Sequence, residues 1–237
     1  MKPDMGRNLQ IPVPLLYRAA RQGVFGRRRE FPRGSISDAL FVYLDGAPDP
    51  DSEAVLRAEY TARPWVCMTA SWEDYIRACF PRAATYRRFM MKPADRFLLP
   101  ESIPLPDVYR IGRMDEAAFC RHPFSHGVNY ASWEAFFAEG AGEVAYFEGE
   151  IVASASSFLS LDGEVEMDLF TREAHRGKGL AGACAAGMLR DCMDRGITVH
   201  WDAQNETSRH LAVKFGFRTE AAYMVYYLAD GREDPAE

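Results

Sequence analysis

The chain has 237 residues, 48% of them hydrophobic and 26% charged, with a formal net charge of -6. This is enough apolar material for one large or two modest domains with a buried core, and the acidic balance argues against general nucleic-acid binding. The 5 cysteines fit no disulfide or CxxC spacing and the 5 histidines form no HExxH or CxxH cluster, so reduced, buried thiols and no metal are expected.

Residues 1–36 are rich in Arg, Gly and Pro and read as a solvated loop or arm, with Arg27, Arg28 and Arg29 a short basic run. The beginning of the chain lacks the apolar run of a signal peptide. No stretch approaches the ~20 apolar residues that span a bilayer; a cytoplasmic location is the expectation. The apolar run 39–44 ends at Asp45-Gly46, a strand and its turn. Asp51 or Ser52 is placed to cap a helix running to about residue 60. Residues 65–68 read as a second strand, and Ser71 with Asp74 resembles a capping box opening a helix that Pro81 ends. Residues 85–92 form a third strand candidate, so the first part is a small α/β unit.

Residues 98–106 contain Pro100, Pro104 and Pro106. Prolines at this density disfavour both helix and central strand, and they set a boundary between an N-terminal region, 1–105, and a second domain, 106–237. There, 108–111 is a short strand, Asp115 caps a helix to about residue 122, and Ser132 opens another that stops at Gly140. Strands at 143–147, 151–161 and 164–171 follow, separated by Glu148-Gly149 and Asp162-Gly163; Asp-Gly is a strong hairpin turn. A helix from Gly179 to Gly196, a strand at 198–203, a helix at 207–215 and a closing hairpin or pair of strands at 217–229 complete the pattern. It is α/β (α+β) in class, with a mixed, largely antiparallel sheet flanked by helices.

Chemistry concentrates in Arg176-Gly177-Lys178-Gly179-Leu180-Ala181, which follows a strand and opens a helix. Glycines let the backbone turn tightly. Several amide N–H groups then converge on one anion at the helix N-terminus, an arrangement that suits a pyrophosphate. Taken alone, the six residues serve equally well as a plain strand-to-helix connection. They match neither a Walker A loop nor GxGxxG. After the loop come a helix rich in small residues, a strand, and a segment that opens at Asn205 and closes with Gly216-Phe217.

Together these features resemble the GNAT acyltransferase superfamily. Its Q/R-x-x-G-x-G/A signature is matched by Arg176, Gly179 and Ala181, and its Asn-opened helix ending in Gly-Phe by Asn205, Gly216 and Phe217. The resemblance covers roughly 108–229. Trp201-Asp202-Ala203, Asn205, Ser208 and Leu211-Ala212 look most like the zwittermicin-resistance-type branch, which carries an extra N-terminal α/β region. The resemblance implies acetyl-CoA as co-substrate and a small-molecule amine as acceptor. Pantetheine would pair with the strand end near Phe170 and Thr171, and the pyrophosphate would rest on the amides from Gly177 through Lys178, Gly179 and Leu180 to Ala181. Asn205 would face the pantetheine or a water. The sequence departs from the family where a Tyr often protonates the leaving thiolate: that position is Ala212. Tyr223, Tyr226, Tyr227 or water would have to replace it.

An attacking amine must be neutral, so a base is needed. Strand alternation puts Glu164, Glu166 and Asp168 on one face, either as a solvated face or with one carboxylate aimed at the acceptor. Glu166 is the first choice, because it is central and the family often draws a base from this strand; Asp168 is second. His200 reads as a packed histidine. Tyr130, Trp133, Phe136 and Phe137 are placed to line an acceptor pocket or the core. The leading reading is an acetyl-CoA-dependent N-acyltransferase working by direct attack. A non-catalytic acyl-CoA sensor and an N-terminal protein-interaction module are the alternatives. No nucleic-acid or membrane partner is expected, and a homo-oligomer is left open.

Overall fold

A computed structural model describes residues 12–93, 97–122 and 129–228. The outer part of the basic arm, 1–11, and the last residue expected of the closing strands, 229, lie outside them. Contacts divide the chain into two compact units: Met1–Met90 with Ala203–Glu206 and Thr219–Glu237, and Met91–Asp202 with Thr207–Arg218. The division is discontinuous along the chain. Mixed sheets of mostly antiparallel strands, flanked by helices, make up the fold.

In the first unit α1 (Leu15–Gln22) is followed by β1 (Arg27–Phe31), β2 (Gly34–Asp38) and β3 (Val42–Gly46), an antiparallel meander with Arg29↔Ile36 and Ile36↔Leu44 in register. α2 (Pro50–Glu59) crosses to β4 (Trp65–Cys67), parallel to β3. α3 (Ala70–Cys79) and β5 (Ala84–Lys92) follow. The last strand, β11 (Arg218–Tyr227), pairs antiparallel with β4 through Val225↔Val66; it is one strand and not a hairpin. The core is Ile36, Leu44, Leu56, Trp65, Trp72, Ile76 and Tyr226.

Three local expectations are corrected here. Arg27, Arg28 and Arg29 lie within β1 and not on a loop. Two of them meet acidic neighbours: Arg28 bonds Glu30, and Arg29 makes two bonds to Glu59 at 2.6 and 2.7 Å. The α2 cap is Asp49, whose carboxylate accepts the Asp51 and Ser52 N–H groups while the Ser52 hydroxyl accepts the Asp49 N–H. That reciprocal arrangement satisfies orphan donors at both ends of the turn. α3 begins at Ala70 without a side-chain cap; the Thr69 hydroxyl at the cap position donates to the Gly46 carbonyl.

In the second unit β6 (Tyr109–Arg113), β7 (Gly142–Phe147), β8 (Glu150–Leu161) and β9 (Glu164–Thr171) form an antiparallel meander. Asp115 caps α4 (Glu116–Arg121) and Ser132 caps α5 (Trp133–Glu139), as expected. Glu148-Gly149 and Asp162-Gly163 have positive φ at both residues, the geometry of a two-residue hairpin turn. α6 (Leu180–Asp194) crosses from β9 to β10 (Thr198–Ala203), which runs parallel to β9; α7 (Glu206–Lys214) follows. Small residues let α6 approach the sheet closely: a Cβ on Gly187 would lie 2.6 Å from Glu143 Cγ. Tyr130 and Phe136 pack with Phe119 and Val144 in the core, Trp133 flanks them, and Phe137 stays exposed.

Residues 97–106 have no regular structure but are held to this unit. The Leu98 N–H donates to Phe215 O at 3.0 Å, the Phe97 ring packs on Phe217, and the Arg190 guanidinium bonds the Pro100 and Glu101 carbonyls on the outer side of α6.

Candidate functional site

The N-terminus of α6 is built from backbone. Gly177 and Gly179 have φ of 75° and 83°, a region that L side chains rarely adopt, and nothing lies within 4 Å of where a Gly177 Cβ would stand. Gly179 is the N-cap and offers no side chain to the helix. The Ala183 N–H is the one that reaches back to the Gly179 carbonyl. The N–H groups of Leu180, Ala181 and Gly182 precede it and have no carbonyl four residues back within the helix. With the helix dipole they favour an anion. Arg176 is exposed beside the loop. The Lys178 ammonium is anchored, donating to the Tyr109 hydroxyl at 3.1 Å and to Ala174 O at 3.0 Å.

Beside this turn lies a cleft of about 640 Å³, lined by Leu98, Leu99, Pro100, Ile103, Gly179, Gly182, Leu211, Lys214 and Phe215. It is apolar apart from Lys214, an exposed cation at the end of α7. The sequence gives the loop side of this cleft but not its opposite wall. The proline-rich segment places Leu98, Leu99 and Ile103 against α6, and its apolar residues between prolines were the available signal.

At the other end of the site the parallel ladder of β9 with β10 runs from Thr198↔Glu164 to His200↔Glu166. Both strands continue beyond it. Glu166 sits where they part: it is 7% exposed, and its carboxylate accepts the Asp202 N–H at 2.9 Å. A side chain therefore takes a β10 donor where the ladder stops. Phe170 and Thr171 lie further along β9, half-buried, paired to Ser154 and Ala153 of β8. Two readings of the strand change. Glu166 is buried and not on a solvated face, and His200 is not simply packed: its Nε2 pairs with the Glu164 carboxylate.

Asp168 stands opposite Ser156, and Phe170 opposite Ser154. Ser154 and Ser156 are both buried. The buried His122 ring, at the C-terminal end of α4, has Nε2 2.7 Å from Ser154 Oγ and packs edge-on to Phe170. Sequence reasoning did not select this pair, because the two residues are 32 positions apart and no local motif joins them. Asn205 is exposed and immediately precedes α7. Ala212 is fully buried. Of the tyrosines considered in its place, Tyr226 donates to Glu73, with burial and that bond raising its pKa. Tyr227 packs on Tyr86. Among the described residues no group of three or more His, Cys, Asp or Glu is placed to hold a metal, and no helix is long and apolar enough to cross a membrane.

A glycine turn opening a helix after an antiparallel meander, next to a pair of parallel strands that part, defines a GNAT-type acyltransferase fold. The family model for GNAT acetyltransferases matches residues 28–226, and the chain belongs to that family. The uncharacterized N-acetyltransferase YdfB of Bacillus subtilis (strain 168) is 30% identical over 133 residues, 54% of this chain and 51% of that protein. The match thus spans about half the length of the curated relative. A GCN5-related N-acetyltransferase-like protein from Streptococcus suis 89/1591 superposes with a TM-score of 0.76 at 27% identity, over 90% of this chain and 92% of that one. A GCN5-related N-acetyltransferase from Kribbella flavida, at 17% identity, shares the fold with a TM-score of 0.57, over 91% of this chain and 96% of that one.

Proposed function

We propose that the chain transfers an acetyl group from acetyl-CoA to a primary amine of a small molecule, by direct attack of the amine on the thioester. The observation that carries this reading is the α6 turn. Its two left-handed glycines present unused amides beside a cleft large enough for an extended cofactor arm. In this reading the pyrophosphate rests on Gly177 to Ala181 with Arg176 and Lys178 nearby, and Lys214 faces a further phosphate. Pantetheine follows the edge of β9 to Phe170 and Thr171, which β10 leaves uncovered, and Asn205 meets the arm or a water. Glu166, or Asp168 two residues on, draws the proton from the amine. Catalysis then rests mainly on positioning and on donors to the developing oxyanion. We also place the chain with the zwittermicin-resistance-type branch and assign 1–105 as its extra N-terminal region and 106–237 as the acyltransferase domain.

One observation favours a second reading, an acyl-CoA sensor without turnover: Ala212 stands where the family often has its acid. Thermal unfolding tests the cofactor site. A ligand that binds only the native state stabilises it by RT ln(1 + [L]/Kd), about 2.7 kcal/mol at a hundredfold excess over Kd. Acetyl-CoA should raise the midpoint of the wild type and leave Gly179→Glu, whose carboxylate would repel phosphate, unshifted. No shift in the wild type at millimolar acetyl-CoA rules out the site. A shift without CoA release for any of a panel of amines selects the sensor.

A further inference from the structure

The buried polar groups on one face of β8 and β9 have a use that the cofactor site does not explain. The opposite face of these strands carries Ala153, Ala155, Val165 and Met167, buried and apolar, and one buried hydroxyl, Ser157, which bonds the Ala141 backbone. The first face carries the buried Ser154, Ser156 and Glu166 and the half-buried Asp168, and α4 delivers an imidazole to Ser154. Burying hydroxyls and an imidazole costs free energy that apolar residues would not, and His122 is only 5% exposed.

We propose that His122, held by Ser154, is the acid that protonates the departing CoA thiolate, in the role left vacant by Ala212. The inference rests on the transferase reading. His122 packs against Phe170, on the stretch of β9 beyond its ladder with β10, where the proposed function puts the pantetheine arm. In the step, the amine nitrogen bonds to the acetyl carbon as its proton passes to the Glu166 carboxylate. The C–S bond then breaks, and the imidazolium gives its proton to the sulfur. The proton on Glu166 returns through solvent to the imidazole, so amine and acetyl-CoA leave as amide and CoA thiol with nothing gained or lost. Imidazole suits this cycle because its ordinary titration lies near neutral pH. Among the described residues, the other titratable groups on the surrounding elements are Asp115 at the start of α4, Glu116, Cys120 and Arg121 on α4, Glu150 on β8, Glu164, Glu166 and Asp168 on β9, Tyr130 ahead of α5, and Glu134 and Glu139 on α5.

The test measures CoA release from acetyl-CoA across pH, with spermidine, kanamycin and an amino-acid amide as acceptors, for wild type, His122→Gln and Ser154→Ala. Acetyl-CoA affinity and the thermal midpoint are followed in parallel. His122→Gln should lower kcat by roughly 10²- to 10⁴-fold below neutral pH. Its profile should converge on the wild type at high pH, where the wild-type imidazole has lost its proton. Acetyl-CoA affinity should stay unchanged. Ser154→Ala should lose less and keep the wild-type shape, because it loosens the ring without removing it. Packing alone would instead reduce the thermal midpoint and kcat equally at every pH, and that result overturns the proposal, as does a His122→Gln profile equal to the wild type. A wild type that binds acetyl-CoA and releases no CoA overturns the transferase reading and this proposal with it.

Discussion

A carboxylate that accepts a backbone N–H is tied to the chain, and Glu166 is so tied to Asp202. Its proposed role as base must therefore be separated from its role in holding β10. Glutamine keeps the accepting oxygen and loses the ionisable one; alanine loses both. Glu166→Gln should lower turnover by roughly 10²- to 10⁴-fold with acetyl-CoA affinity unchanged. The deficit should shrink as pH rises and more amine is already neutral. Glu166→Ala should also weaken acetyl-CoA binding, because the Asp202 N–H is then free to seek another acceptor and the parting of the strands is no longer fixed. Steady-state kinetics with calorimetry on both variants resolves the two roles. Full activity in Glu166→Gln together with a loss in Asp168→Asn would assign the base to Asp168. Alternation along the strand, together with the family resemblance, singled out these carboxylates. It did not show that Glu166 is buried, because that depends on where β10 leaves β9, a property of two strands and not one.

The contact between α6 and β7 turns on one acid against one glycine. Burial, and then the neighbouring Asp191, pushes the Glu143 carboxyl up from its ordinary 4.5 to about 7, against the pull of Arg113 and Arg190. Asp191 is itself paired with Arg113 and Arg195. The unfolded chain releases the Glu143 proton from about 4.5 upward while the folded one holds it to about 7. Stability from this group is thus full below the lower value, falls as pH rises between the two, and levels off above the upper one. Glu143→Gln should have a flatter midpoint-versus-pH curve than the wild type across that window and a higher midpoint at pH values above it. Parallel curves for the two proteins would show that Glu143 does not titrate there. At this scale the sequence was most readable: period-2 runs, two-residue turns and the caps at Asp115 and Ser132 placed the elements of the second unit. It was least readable where an element answers to distant partners. β1 is a strand because β2 pairs with it, although its arginines read locally as a loop, and Thr69, at the cap position of α3, reaches Gly46 from 23 residues away.

Proline density marks a break in regular structure at 98–106, but a break in structure is not a break in packing. The segment supplies one wall of the cleft and is bonded to α6 and to Phe215. Strand β11, at the far end of the chain, pairs with β4 in the first unit. There Val225 and Tyr226 are buried beside Val66 and Trp65, which occupy the facing positions in β4. This strand pairing joins residues some 160 positions apart, beyond any local signal. A fragment of residues 106–237 would contain the whole phosphate turn yet lack the cleft wall and the partner of β11. It should show no cooperative thermal transition and no saturable acetyl-CoA binding, whereas the full chain shows both. Extending the fragment back to residue 91 restores the wall but still leaves Val225 and Tyr226 uncovered, so it too should melt without cooperativity or aggregate. Circular dichroism melts and calorimetry on the two fragments and the full chain make the comparison. A 106–237 fragment that unfolds cooperatively and binds acetyl-CoA with the affinity of the full chain would establish an independent domain, and it would show that neither β4 nor the proline-rich wall is needed for the cofactor site.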